Sequence, residues 1–135
     1  MSTRYLLDTN IVSYLIKGQM PAAKLRSERE GPGAIAVSSI TEAEVFYGVA
    51  NKPGAIRLRD AAESFFAKAI VHSWDSAAAR TYGQLRADQE RKGRPLSIED
   101  LMIAAHALSQ GLTLVTHDSV FSFVDSLKTE DWTVS

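Results

Sequence analysis

Short apolar runs alternate with longer helix-forming segments along this chain, and that rhythm restricts it to very few architectures. Tyr5 to Leu7 reads as a strand, followed by an amphipathic helix, Ile11 to Lys17, that Gly18 stops. Pro21 to about Glu30 is helical, Gly31-Pro32-Gly33 breaks it, and Ala34 to Val37 is the next strand. Ser38-Ser39 opens a helix through about Ala50, and Pro53-Gly54 separates it from a helix over Ala55 to Ala67. A brief strand, Ala69 to Val71, precedes a long polar-faced helix from Asp75 to about Lys92. After Gly93-Arg94-Pro95, Ser97 caps a helix whose body, Leu101 to Ala105, is apolar almost all round and so should be buried. Gly111 closes it before the strand Leu112 to Val115. Strands alternating with helices predict an α/β fold, a central mostly parallel sheet of four to five strands with helices on both faces. No repeat, linker or low-complexity segment divides the chain, so residues 1–135 are expected to form one domain.

Composition excludes several functions. At 135 residues, 45% hydrophobic and 23% charged, the chain can bury one core but not two. A net charge of −1 argues against wholesale electrostatic binding of nucleic acid while permitting a local basic patch. There is no cysteine, which removes disulfides and thiolate metal sites and suits a reducing compartment. No run approaches the ~20 apolar residues of a membrane span, and the N-terminus has no long apolar leader. A cytoplasmic protein with no membrane partner is the expectation.

Four acids, Asp8, Glu44, Asp100 and Asp118, fall at or near strand ends or helix starts, the positions that an open parallel sheet gathers around its ligand site. Carboxylates brought together raise one another's pKa or recruit cations, and an oxygen-only cluster suits a hard ion such as Mg²⁺, with Mn²⁺ as the substitute. Each acid also has a plainer explanation. Ser97-x-x-Asp100 reads as a capping box, Asp8 and Asp118 can cap or make Asx turns, and Glu44 can pair with Thr41. Ser39 and Glu42 offer an equally good box two residues earlier, which leaves one glutamate surplus. Gly48 lies four residues after Glu44 and Ala104 four after Asp100, so small groups flank both acids on their own helix faces.

The set Leu6-Leu7-Asp8-Thr9-Asn10, Ser38 to Glu44 with Tyr47-Gly48, Asp100 to Ala107, and Leu114-Val115-Thr116-His117-Asp118 resembles the PIN-domain ribonucleases, specifically the VapC-type toxins. The resemblance spans nearly the whole chain, down to Glu130-Asp131-Trp132. It implies a metal-dependent endoribonuclease from a toxin–antitoxin pair, cutting structured RNA of the translation machinery such as a tRNA or rRNA loop. Asp8, Glu44 and Asp100 match the family's main acidic positions and Asp118 the more variable fourth. Asn10 and Thr116 would orient carboxylates or water by hydrogen bonds. His117 departs from the asparagine frequent at that place, and solvent exposure or a structural hydrogen bond is its expected role. His106, within an apolar helix, reads as a packed histidine, and His72 carries no motif.

Acids repel RNA, so basic side chains must hold the backbone. Lys17, Lys24, Arg26 and Arg29, then Lys52, Arg57 and Arg59, then Arg86, Arg91, Lys92 and Arg94 are candidates, the last group being nearest in sequence to Asp100. Tyr14, Tyr47, Phe121 and Phe123 could stack on bases, although core packing suits most of them better. The resemblance further implies a homodimer and a VapB-type antitoxin whose C-terminal segment lies along the toxin. A non-catalytic PIN module would bind RNA or protein with the same fold. A receiver-type signalling domain fits poorly, because Asp8 is followed by Thr9 and not by a second acid.

Overall fold

A computed structural model describes residues 2–134. Five strands form a single sheet in the order β3-β2-β1-β4-β5: β1 (Tyr5–Leu7), β2 (Ile35–Ser38), β3 (Ile70–His72), β4 (Thr113–Val115) and β5 (Thr129–Glu130). Every neighbouring pair is parallel, so the sheet is wholly rather than mostly parallel. The helices are α1 (Thr9–Ile16), α2 (Pro21–Glu30), α3 (Ser39–Ala50), α4 (Ile56–Lys68), α5 (Ser76–Arg91) and α6 (Ile98–Gln110). The elements read from sequence are present within a few residues. α1 begins two residues earlier than expected because Asp8 is its cap, its Oδ1 accepting from the Ile11 N–H at 2.9 Å. Three short features had no signature strong enough to read: the two-residue β5 and the 3₁₀ turns Pro32–Ala34 and Ser119–Phe123.

Alternation along β1 divides the core. Leu6 points to a cluster with Ala36, Leu114, Leu101, Ile103, Phe121 and Val124. Tyr5 and Leu7 point the other way, towards Ile11, Val12, Ala23, Val37, Val115 and Trp132. α6 is buried at Leu101, Ile103, Ala104, Ala105, His106 and Ala107, as its apolar composition predicts, and Gly111 ends it in the left-handed region at φ 66°.

The chain runs from β1 to β2 to β3 towards one edge, then returns through α5 and α6 to place β4 on the other side of β1. The strand order therefore reverses between β1 and β4, and the crevice beyond their carboxyl ends is where an open parallel sheet accommodates a ligand. Leu7 is in register with both Val37 and Val115, so Asp8, Ser38 and Thr116 emerge side by side from three adjacent strands.

Candidate active site

Asp8 occupies that crevice. It is 5% exposed, its backbone N–H donates to the Val115 carbonyl at 3.0 Å, and both side-chain oxygens are engaged. Oδ1 caps α1, and Oδ2 accepts from Thr116 Oγ1 at 2.5 Å. Thr116 Oγ1 in turn accepts from the Asp118 N–H at 3.0 Å, while Asp118 Oδ1 caps the following 3₁₀ turn through the Val120 N–H at 3.0 Å. The capping reading thus holds for Asp8 and Asp118, and a cap occupies only part of a carboxylate's acceptor capacity.

Asp100 enters from the first turn of α6, whose N-cap Ser97 accepts the Asp100 N–H at 3.1 Å. Electrostatics reveal the convergence. Burial raises the Asp8 carboxyl above its ordinary pKa; hydrogen bonds from Thr116 and Ile11 oppose that, and the charges of Asp100 and Asp118 add to it. Asp100 is also raised, by burial foremost and then by Asp118 and Glu99, against the opposing Ser97 hydrogen bond. Three of the four acids therefore share one electrostatic environment at the strand-order reversal.

Glu44 sits beside them rather than among them. Its carboxyl is raised by burial first and then by the neighbouring charge of Glu99. Neither capping box proposed for the α3 start forms: the cap is Ser38, whose Oγ accepts from Ile40 N–H at 3.0 Å, and Ser39 Oγ instead accepts from Trp74 N–H. Thr41 is fully buried and bonds Thr9 Oγ1 at 3.0 Å across to α1. Glu44 is consequently free of any capping duty. Asn10 is exposed and makes no side-chain hydrogen bond among the described residues; Thr9 is the residue of that segment that ties α1 to α3.

Sequence reading passed over Glu99, which the α6 backbone turns towards Glu44. Its only signal was an acid in the first turn of a helix, which the helix dipole explains without further function. Among the described residues no three acidic or histidine side chains are placed to hold a metal ion together. By its chemistry the donor set fits a hard divalent ion, since every member supplies carboxylate oxygen, and the negative charge that burial and then the neighbouring acids disfavour on Asp8 and Asp100 is what a cation would stabilise.

At the edge of this crevice His117 Nδ1 is 2.7 Å from Asp131 Oδ2 and 3.0 Å from Thr133 Oγ1. The Asp131 bond raises the imidazole above its ordinary pKa, with Asp118 and Asp8 adding to the effect.

The PIN domain family model matches residues 5–127 of this chain. The chain belongs to the PIN-domain family, in its VapC branch. The tRNA(fMet)-specific endonuclease VapC of Shigella flexneri is 38% identical over 130 residues, spanning 96% of this chain and 98% of that protein. Ribonuclease VapC2 of Haemophilus influenzae is 35% identical over the same shares of the two chains. Among solved structures, DNA-bound VapBC from Salmonella typhimurium superposes with a TM-score of 0.90 at 34% identity, covering 96% of this chain and 98% of that one. VapBC2 from Rickettsia felis, bound to a promoter DNA fragment, gives 0.89 at 30% identity and covers 96% and 99%. For this PIN domain the receiver-type alternative is thereby set aside, and the crevice at the β1–β4 reversal lies in a nuclease fold.

Proposed function

We propose that this PIN domain is a divalent-metal-dependent endoribonuclease, the toxin of a VapBC-type pair, that hydrolyses a phosphodiester in structured RNA of the translation machinery. The observation that carries the reading is the shared electrostatic environment of Asp8, Asp100 and Asp118 at the carboxyl ends of β1 and β4. The tRNA(fMet) specificity named for the Shigella relative favours a tRNA substrate over rRNA. Asp8, Asp100 and Asp118, with Glu44 at the flank, would hold Mg²⁺ or Mn²⁺. When bound, such an ion supplies Lewis-acid polarisation and positive charge for the phosphodiester as its negative charge grows. Thr116 holds one oxygen of Asp8 and the backbone of Asp118 together, which fixes the separation of the two carboxylates.

Ion pairs redistribute the candidates for holding RNA. Arg91 pairs with Asp88, and Lys92 and Arg94 both pair with Asp125, so the basic group nearest Asp100 in sequence is largely neutralised. Arg26 is shared between Glu30 and Glu130, and Arg86 is held by Glu90. Lys17, Lys24, Arg29, Lys52 and Arg57 make no ion pair among the described residues and are the stronger candidates for the phosphate backbone.

A VapB-type antitoxin is the partner this reading assigns. An apolar groove of about 800 Å³ lies between α1, α2, β2 and α4, with Leu15, Ile16, Ile35 and Phe65 in its lining and Lys24, Glu28 and Lys68 among its polar residues. Those dimensions and that chemistry suit an amphipathic segment, and a basic side chain carried by it would neutralise the acids in place of metal. Exposed Tyr47 and Ile98, on the adjoining helices α3 and α6, offer apolar area to a second copy in a homodimer.

Incubation of the purified chain with total cellular RNA tests the reading. Cleavage should require Mg²⁺ or Mn²⁺, stop with EDTA, and disappear in Asp8→Asn and Asp100→Asn proteins that retain the native circular dichroism. Intact RNA across a broad panel of tRNA and rRNA with the wild-type protein would overturn it.

A further inference from the structure

Ser38 and His106 are both completely buried, and His106 Nδ1 lies 2.8 Å from Ser38 Oγ. The two belong to the elements that present different acids of the site. Ser38 ends β2 and caps α3, the helix of Thr41 and Glu44, while His106 is on α6, six residues after Asp100.

The ring is engaged at both nitrogens. Gln110 Oε1 is 2.5 Å from His72 Nδ1, and the Gln110 amide nitrogen lies 3.3 Å from His106 Nε2. At the other nitrogen, Nδ1 and Ser38 Oγ share one hydrogen bond. Burial, followed by the neighbouring His72, lowers the His106 pKa and keeps the ring neutral. Ser38 Oγ thus bonds two partners, His106 Nδ1 and the first turn of α3, accepting from Ile40 N–H. This connection is the direct side-chain tie between the Asp100 helix and the start of the Glu44 helix. Among the described residues neither side chain hydrogen-bonds to the acids themselves.

We propose that His106 is a positioning residue which, through Ser38, sets the first turn of α3 against α6 and so fixes where Glu44 stands relative to Asp100. The inference rests on the metal-dependent reading above. An apolar packed histidine would contribute only volume, and leucine would replace most of it. A positioning histidine contributes a hydrogen-bonding partner at the Nδ1 site, which the asparagine amide can supply from a similar distance along the side chain and leucine cannot.

The test compares H106L and H106N for Mn²⁺ binding by calorimetry, for the exchange rate of the Ile40 amide in metal-free protein, and for urea stability. H106L should weaken Mn²⁺ binding at least about tenfold, in the range that loss of an orienting partner produces, and speed Ile40 exchange by a similar factor. H106N should stay within about threefold of wild type in metal binding despite losing ring volume, on the same scale. If both variants lose stability alike while Mn²⁺ affinity and Ile40 exchange remain at wild-type values, the role is packing and the proposal falls. Should H106L fail to fold, Ser38→Ala removes the same bond from the other side, and wild-type Mn²⁺ affinity in that protein would overturn the proposal equally. A wild-type protein that binds no Mn²⁺ overturns the metal reading itself, and this inference with it; wild-type binding with H106L unchanged overturns this inference alone.

Discussion

Thr116 Oγ1 donates to Asp8 Oδ2 at 2.5 Å while accepting the backbone N–H of Asp118 at 3.0 Å, so one hydroxyl ties together two acids that are 110 positions apart in sequence. A hydroxyl has one hydrogen to give, and here it is spent on a carboxylate that burial has already made hard to ionise. Removing that donor should therefore affect the acid more than the fold.

Thr116→Val, nearly isosteric, should raise the Asp8 pKa further and lower metal-dependent cleavage by about 10- to 100-fold. The stability lost should be about 1–3 kcal/mol, the cost of depriving a charged buried acceptor of its partner. Thr116→Ser, which keeps the hydroxyl, should recover most of the activity. Wild-type turnover in the valine variant would show that the bond plays no part in catalysis.

Asp8→Asn should abolish cleavage and stabilise the metal-free protein. The folded-state pKa of Asp8 is raised, so the penalty for ionising it is absent below the unfolded pKa of ~3.9 and grows as pH rises through the folded value. The gain should be near zero at about pH 3.5 and larger at pH 7, read as a higher Tm of the variant at the higher pH. Thermal melts at both pH values check the sign. Saturating Mg²⁺ should raise the wild-type Tm by linkage and leave the variant unmoved.

Activity should rise with pH across the carboxylate range and above it. Asp8, Asp100 and Glu44 all have raised pKa values, so protons compete with metal at higher pH than they would for free carboxylates. Mn²⁺ affinity measured from pH 4.5 to 7.5 should increase monotonically; a flat profile would mean that these acids are not the ligands.

His117 makes an opposite contribution. Its folded pKa is raised by Asp131, so the stability it adds is fully present below its unfolded pKa, near 6.5, and is lost as pH rises through the folded value. His117→Gln should be less stable than wild type at about pH 5.5 and indistinguishable from it at about pH 9, as read by denaturant midpoints.

Gly111→Ala places a Cβ at φ 66°, where L residues are strained although no atom stands in the way. The expected cost is about 1 kcal/mol, visible as a lower Tm with unchanged cleavage per folded molecule.

The sequence by itself determined the alternating architecture, because strand and helix periodicities, Ser97 and Gly111 at the ends of α6, and the Pro-Gly breaks are local signals written within a few residues. It also marked Asp8, Glu44, Asp100 and Asp118, through their places at element ends and the family motifs around them. Only the tertiary structure decided how they group. The reversal of strand order between β1 and β4 sets Asp8, Asp100 and Asp118 in one field and leaves Glu44 against Glu99. It also decided that Ser38 rather than Ser39 or Thr41 caps α3, that Lys92 and Arg94 are consumed by Asp125, and that His106 reaches the α3 cap. Apart from the local Ser38 cap, these are pairings between residues separated by tens of positions. Their energies depend on distances that chain spacing does not encode, since only the packed sheet brings the partners within hydrogen-bonding range.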